Sequence, residues 1–268
     1  MNLAETRIAL RPRGLGEIMD LGLRFDHAIG GRLYRRLALV LLLPAYLLCL
    51  ALRFWVDLPW EQVWLVAAGL VLCTQGAFTI AASRLLVAPD VRVTEVLGRF
   101  LRRLPSYLVS SVLALLVLGL GWTFFYFLVT AYFATTSTTH YHEASLVEEA
   151  GPLAALSRSR ALARHNGMRV FGLQVLRVAA LVGFVVVFEL VFSVGLVEFG
   201  LQLGRPFGRL EWGGSPFALA GLFAGVPYYA TTRFLHYIDT RTRQDGWDVQ
   251  VRCMSIAAAD EAEREVAA

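Results

Sequence analysis

There is no lysine in this chain: all 25 of its basic residues are arginine, set against 21 acidic residues. Charge as a whole is scarce. Charged residues make up 17% and apolar ones 57% of the chain, where a soluble domain carries roughly 25% and 45–50%. The three cysteines are too few and too scattered for a disulfide framework: Cys49 and Cys73 fall inside apolar runs and Cys253 lies near the end. A P-loop, a dinucleotide fingerprint, a GxSxG elbow, an HExxH pair and a paired CxxC are also missing, so the sequence shows no soluble catalytic module. It implies no cofactor. His140-Tyr141-His142-Glu143 invites a metal reading, but no third ligand stands at a suitable spacing, and a polar helix end at the cytoplasmic surface is the plainer expectation.

What is present is long apolar segments. Val40–Leu52, Val63–Ala82, Tyr107–Phe133, Val178–Phe199 and Pro216–Ala230 are each nearly free of charge, and roughly 20 such residues in a helix cross a bilayer. The first run begins near Leu37 and is longer than the apolar core of a signal peptide. Arginine placement then orients the chain. Residues 1–36 carry Arg7, Arg11, Arg13, Arg24, Arg32, Arg35 and Arg36; residues 84–103 carry Arg84, Arg92, Arg99, Arg102 and Arg103; residues 143–169 carry Arg158, Arg160, Arg164 and Arg169. By the positive-inside rule all three segments face the cytoplasm. Residues 106–146 must then cross an even number of times, as a hairpin turning near Gly119–Gly121 and returning from Trp122. The alternative, one long tilted span, would put the 158–169 arginines on the wrong side. A fifth helix from about Val170 to Val197, an external loop Leu203–Ser215 with Trp212 as an interfacial anchor, and a sixth helix from Pro216 to about Tyr237 complete the expectation.

The expected fold is therefore all-α: a polytopic transmembrane bundle of six spans arranged as three hairpins. Residues 1–36 form a cytoplasmic N-terminus, 37–240 the membrane domain, and 241–268 a cytoplasmic tail, disordered over Ala257–Ala268. An amphipathic, arginine-bearing segment precedes each hairpin: Gly14–Arg36, Thr94–Leu104 and Pro152–Arg164. Such segments lie in the headgroup plane with their apolar side down. Arginine-only basicity with abundant Ala, Leu, Gly and Val fits a GC-rich bacterial genome, and the location expected is a bacterial cytoplasmic (inner) membrane with both termini inside.

Three segments carry a resemblance. Arg11-Pro12-x-Gly14-x-x-Glu17-x-x-Asp20 with Leu33-Tyr34-Arg35-Arg36 opens the chain. Glu148-x-x-Gly151-Pro152-Leu153-x-Ala155-Leu156-x-x-Ser159-Arg160-x-Leu162-x-Arg164 lies at its centre, and Tyr237-x-Asp239-x-Arg241-x-Arg243-x-x-Gly246-x-Asp248 closes it. Together they resemble a bacterial six-helix integral membrane family of largely unknown function, related to the membrane domain fused to some glycerophosphodiester phosphodiesterases. The resemblance implies six helices and an anchoring or scaffolding role and supplies no catalytic residues. The Thr-rich stretch 135–142 departs from that family's apolar return arm.

Few residues stand out as chemistry. Glu189 is an isolated acid in an apolar helix, costing about 2.5–3.5 kcal/mol on insertion scales unless it meets protein, water or a proton. Thr135, Thr138 and Thr139 belong to a hydroxyl run that can bond back to carbonyls one turn earlier. Arg177 is expected to snorkel to the inner interface beside Gln174, Pro44 and Pro227 to kink their helices, and Gly221-x-x-x-Gly225 to form a close-packing face. The leading expectation is a non-enzymatic membrane protein whose cytoplasmic face binds anionic lipid, a protein partner or a second copy, and not nucleic acid. Arg99, Arg102, Arg103, Arg158, Arg160, Arg164, Asp239, Arg241, Arg243 and Asp248 would make that face. The alternatives are a small transporter using Glu189 and the threonines, and a lipid enzyme gathering His140, His142, Glu143, Glu148 and Glu149.

Overall fold

A computed structural model describes residues 11–86, 88, 90–123, 128–164, 166–203 and 213–246. Trp212, Asp248, Cys253 and the Ala257–Ala268 tail lie outside the described residues. Every described element is a helix, in chain order α1 (Leu15–Phe54), α2 (Trp60–Leu85), α3 (Val93–Thr123), α4 (Leu128–Thr138), α5 (Tyr141–Leu146), α6 (Pro152–Ala163), α7 (Gly167–Gly200), α8 (Pro216–Ala224) and α9 (Val226–Asp245). Four of these, α1, α2, α3 and α7, are long and apolar enough to cross a membrane.

The most polar long helix is the most buried. From Val226 to Thr242, α9 carries Thr231, Thr232, Arg233, His236, Asp239 and Thr240, all at most 3% exposed. Around it the outward faces are apolar: Leu39, Leu47, Leu65, Val109, Leu116, Val187 and Leu190 are each more than half exposed. In water this would be inverted. A surface of leucine and valine around a polar interior is the arrangement a hydrocarbon solvent demands, because every buried polar group must find its partner inside the protein.

That demand explains where the expected interfacial helices go. Gly14–Arg36 is not a helix of its own: from Leu15 it joins the first apolar run in one helical stretch that ends at Phe54. Its inner face, Ile18 and Phe25, is buried, Tyr228 donates its hydroxyl to the Met19 carbonyl at 3.3 Å, and Tyr34 shares a 2.9 Å hydrogen bond with Thr231. The segment packs on polar α9. Thr94–Leu104 likewise continues straight into α3 through Pro105, with Val96 and Phe100 turned into the core. Only Pro152–Arg164 forms a separate helix, bounded by Gly151 and by the irregular backbone at Asn166.

Both prolines expected to kink their helices stand beside an interruption of the regular helical pattern. Proline cannot donate to the carbonyl four residues back. At Pro44 the preceding turn Ala38–Leu42 widens to an i→i+5 pattern, and at Pro227 the helix breaks at Gly225 between α8 and α9. The sixth helix continues past Tyr237 to Asp245, so the first residues assigned to the tail are helical. In the middle of the chain, α3 extends through Gly119–Gly121 to Thr123. The turn therefore does not fall on those glycines, and Trp122 belongs to the outgoing arm. Gly121 serves packing: a Cβ there would collide with Ala134 of α4. Helices α3 and α4 lie side by side, with Thr130 donating to the Gly121 carbonyl at 3.0 Å and Trp122 Nε1 to Thr135 at 3.3 Å.

The Gly221/Gly225 face is also a close approach. A Cβ at Gly221 would stand 2.5 Å from the Phe184 carbonyl oxygen and 2.9 Å from Val185 Cα, and one at Gly225 2.6 Å from Leu181 Cδ1. Because backbone blocks Gly221, Gly221→Ala should force α8 away from α7 and destabilise by about 1–3 kcal/mol. Gly225→Ala meets side-chain atoms alone, the flexible Leu181 tip and the Phe184 ring at 3.3 Å, and should cost less. Thermal unfolding of the two variants in detergent checks the order.

Candidate functional site

The hydroxyl run decides the site's local geometry. In α4, Thr136 donates to the Tyr132 carbonyl at 2.9 Å, Thr138 to Ala134 at 2.8 Å and Thr139 to Thr135 at 2.7 Å. Back-bonding lets these residues be buried and competes with the helical ladder. The helix stops there: His140 takes φ −103°, ψ 9°, and its N–H is satisfied by Ser159 Oγ at 3.0 Å. The chain restarts as α5, with Glu143 fully buried.

Glu143 meets Arg233 of α9. Arg233 Nε lies 2.7 Å from Glu143 Oε1, with side chains 3% and 0% exposed, and Arg233 Nη1 donates to Gln75 Oε1 of α2 at 3.1 Å. Gln75 Nε2 reaches His142 Nε2 at 3.4 Å. A second buried cation stands beside them. Arg177, 1% exposed, bonds Gln174 on its own helix and stacks over Tyr229 at 5.8 Å, whose hydroxyl accepts from Gln174 at 3.2 Å. Arg177 thus turns inward and does not snorkel. His140 and His142 are 0% and 3% exposed, so they belong to the core and not to a surface helix end. Among the described residues no three His, Cys, Asp or Glu side chains are grouped to hold a metal ion.

Thr135, Thr138 and Thr139 line a cavity of about 430 Å³ next to this cluster, with Gln75, His142, Gln174, Tyr229 and Arg233 on its polar side. Glu189 does not line it. It sits about 18 Å further along α7 from Arg177, at roughly 1.5 Å per residue, buried against Ser215, which donates to its carboxylate while capping α8 through Ala218 N–H. The acid and the threonines are therefore parts of two different places.

A second cavity, about 940 Å³, collects arginines. Arg84 comes from the end of α2, Arg99, Arg102 and Arg103 from the first turns of α3, and Arg241 from α9, over a floor of Leu146, Phe234, Tyr237 and Ile238. Three carboxylates answer these five guanidinium groups. Glu95 is shared by Arg84 at 3.1 Å and Arg99 at 3.6 Å, Glu149 pairs with Arg103, and Glu148 is shared by Arg241 at 3.7 Å and Arg158 at 3.1 Å. Arg102 bonds the Gly98 carbonyl of its own helix and has no carboxylate among the described residues.

The expected arginine face is thus divided. Arg99, Arg102, Arg103 and Arg241 converge. Arg158 is held by Glu148, and Arg160 and Arg164 line a separate hollow beside Tyr132 and Ser137. Asp239 is not a surface group: it is 3% exposed and accepts from Arg13 N–H at 2.7 Å, Arg169 at 2.9 Å and Arg243 at 3.0 Å. The five residues of a lipid enzyme do not gather either, since His140, His142 and Glu143 are in the core while Glu148 and Glu149 pair with arginines at the rim. Arg233 is the residue sequence reading passed over. An arginine within the expected sixth helix was a signal of the same kind as Glu189. The chain matches no protein-family model, no curated protein and no solved structure.

Proposed function

We propose that this is a six-crossing protein of a bacterial cytoplasmic membrane, both termini inside, that binds the headgroup of an anionic lipid in its arginine-lined cavity and acts as an anchor or scaffold, not as an enzyme. The convergence of five arginines from three helices on one cavity carries this reading. The crossings would be α1, α2, α3, α4 with α5, α7, and α8 with α9, each pair of neighbours forming a hairpin. Arginine counts place the α2–α3 connection inside, which puts the cavity at the cytoplasmic interface. The opening, central and closing motifs similar to the six-helix family support the same count.

The cavity's chemistry suits phosphate. Guanidinium groups are permanently charged, fork onto two oxygens and shed hydration readily, and two of the carboxylates that pair with them, Glu95 and Glu148, are already shared between arginines. The apolar floor would take the glycerol and upper acyl region. Each cation near an anionic membrane surface is worth about 1 kcal/mol. Exchanging Arg99, Arg102 and Arg103 for glutamine should therefore weaken binding by about 3 kcal/mol, roughly 100-fold. Native mass spectrometry of delipidated protein titrated with cardiolipin or phosphatidylcholine tests this. Cardiolipin retained by wild type and lost by the variant is the expected result. Equal retention of both lipids, or no change in the variant, would sink the reading.

A further inference from the structure

The smaller cavity has walls that do not belong to the arginine site. Its polar side holds Arg233, 3% exposed, with Nη2 bonded to nothing among the described residues. Arg177 stands behind Gln174 with Nε and Nη1 equally unpartnered. The carboxylate among them is Glu143, so two buried guanidinium groups face one buried acid. An unbalanced cation far from water is costly, and an anion in the cavity would remove the imbalance.

The opposite side is apolar and open. Leu115 and Leu118 of α3 and Val175 and Val178 of α7 line the cavity. Leu115 and Val175 are 50% exposed and Val178 45%, on the outward surface that the rest of the fold gives to hydrocarbon. The mouth therefore faces sideways between two helices long enough to span a membrane. At about 430 Å³ the space is within the usual 300–1,000 Å³ of small-molecule sites.

We propose that this cavity binds a single-chain carboxylate amphiphile taken from the bilayer, its head on Arg233 and its chain leaving between α3 and α7. The inference is independent of the lipid-headgroup site, and the two can fail separately.

The test uses the full chain in phosphatidylcholine nanodiscs with palmitate carrying a photoreactive group on its chain, and maps cross-links by mass spectrometry. Saturable labelling of α3 and α7 near Leu115 and Val175 is expected. Unlabelled palmitate should compete at least tenfold better than hexadecanol, which lacks the charge, or butyrate, which lacks the chain. Arg233→Gln should lose the labelling, but it also disturbs a buried pair. Val175→Trp is the cleaner variant, since it fills the mouth from an exposed position, and should reduce labelling at least tenfold. The Arg99, Arg102, Arg103 triple variant should label as wild type. Equal competition by hexadecanol, equal competition by butyrate, or undiminished labelling of Val175→Trp would each overturn the proposal.

Discussion

Glu143→Leu should destabilise the protein by about 3–5 kcal/mol, the usual consequence of removing one partner of a buried ion pair. The carboxylate is fully buried against Arg233. Without it Arg233 and Arg177 remain as buried cations with no acid among their described neighbours, and each pays its desolvation unrelieved. Against a total stability of roughly 5–15 kcal/mol, that loss should show as a large drop in melting temperature and in the fraction recovered as a single species on gel filtration. The double variant Glu143→Leu, Arg233→Leu is expected to regain the share due to Arg233, because replacing both members of a buried pair by packed apolar groups is often neutral, while Arg177 stays without an acid. If the double variant is as unstable as the single one, the pair's contribution is not a matter of unmatched charge, and Gln75 and His142 would have to account for it.

The regain matters for function as well as for fold. A pair whose double replacement restores stability is not needed to hold the bundle together, and a charged group in a membrane interior that is dispensable for folding is best explained by what it binds. Stability and ligand binding should therefore part company in the double variant: a folded protein that no longer labels with palmitate.

Much of this architecture could be read along the chain because its causes are local. The apolar runs follow from composition, the back-bonded threonines from hydroxyls spaced within a turn, the helix irregularities from Pro44 and Pro227, and the tight face from Gly221 and Gly225. What escaped reading is pairing across the fold. Arg233 and Glu143 are 90 positions apart, and Arg13 and Asp239 are 226 apart. Hydropathy scores each segment as though its neighbour were lipid or water, so it assigned Asp239 to a surface and did not show Gly14–Arg36 packed on α9. The deciding fact was that the final helix is polar and must be covered by the others. The same blindness treated the arginines as one face, although several are spent on Glu95, Glu148, Glu149 and Asp239 within the molecule.

Asp239 gives the second large effect, and it separates those two views. Its carboxylate ties three distant pieces together: the backbone ahead of α1 through Arg13 N–H, the start of α7 through Arg169, and its own helix one turn on through Arg243. Both arginines also donate to the Arg13 carbonyl, so the acid and that carbonyl form one knot. Asp239→Ala deletes the central acceptor. Arg169 and Arg243 are 23% and 30% exposed and can recover part of their solvation, so the expected cost is about 2–3 kcal/mol, the range of hydrogen bonds to charged groups. The loss should fall on the N-terminal segment more than on the bundle. Tryptic cleavage after Arg13 should rise by roughly 30- to 100-fold, following the opening equilibrium, while cleavage elsewhere changes little. Asp239→Asn keeps an acceptor for Arg13 N–H but loses the charge that holds both arginines, and should fall between. An aspartate on a free lipid-facing surface would leave cleavage at Arg13 unchanged in both variants.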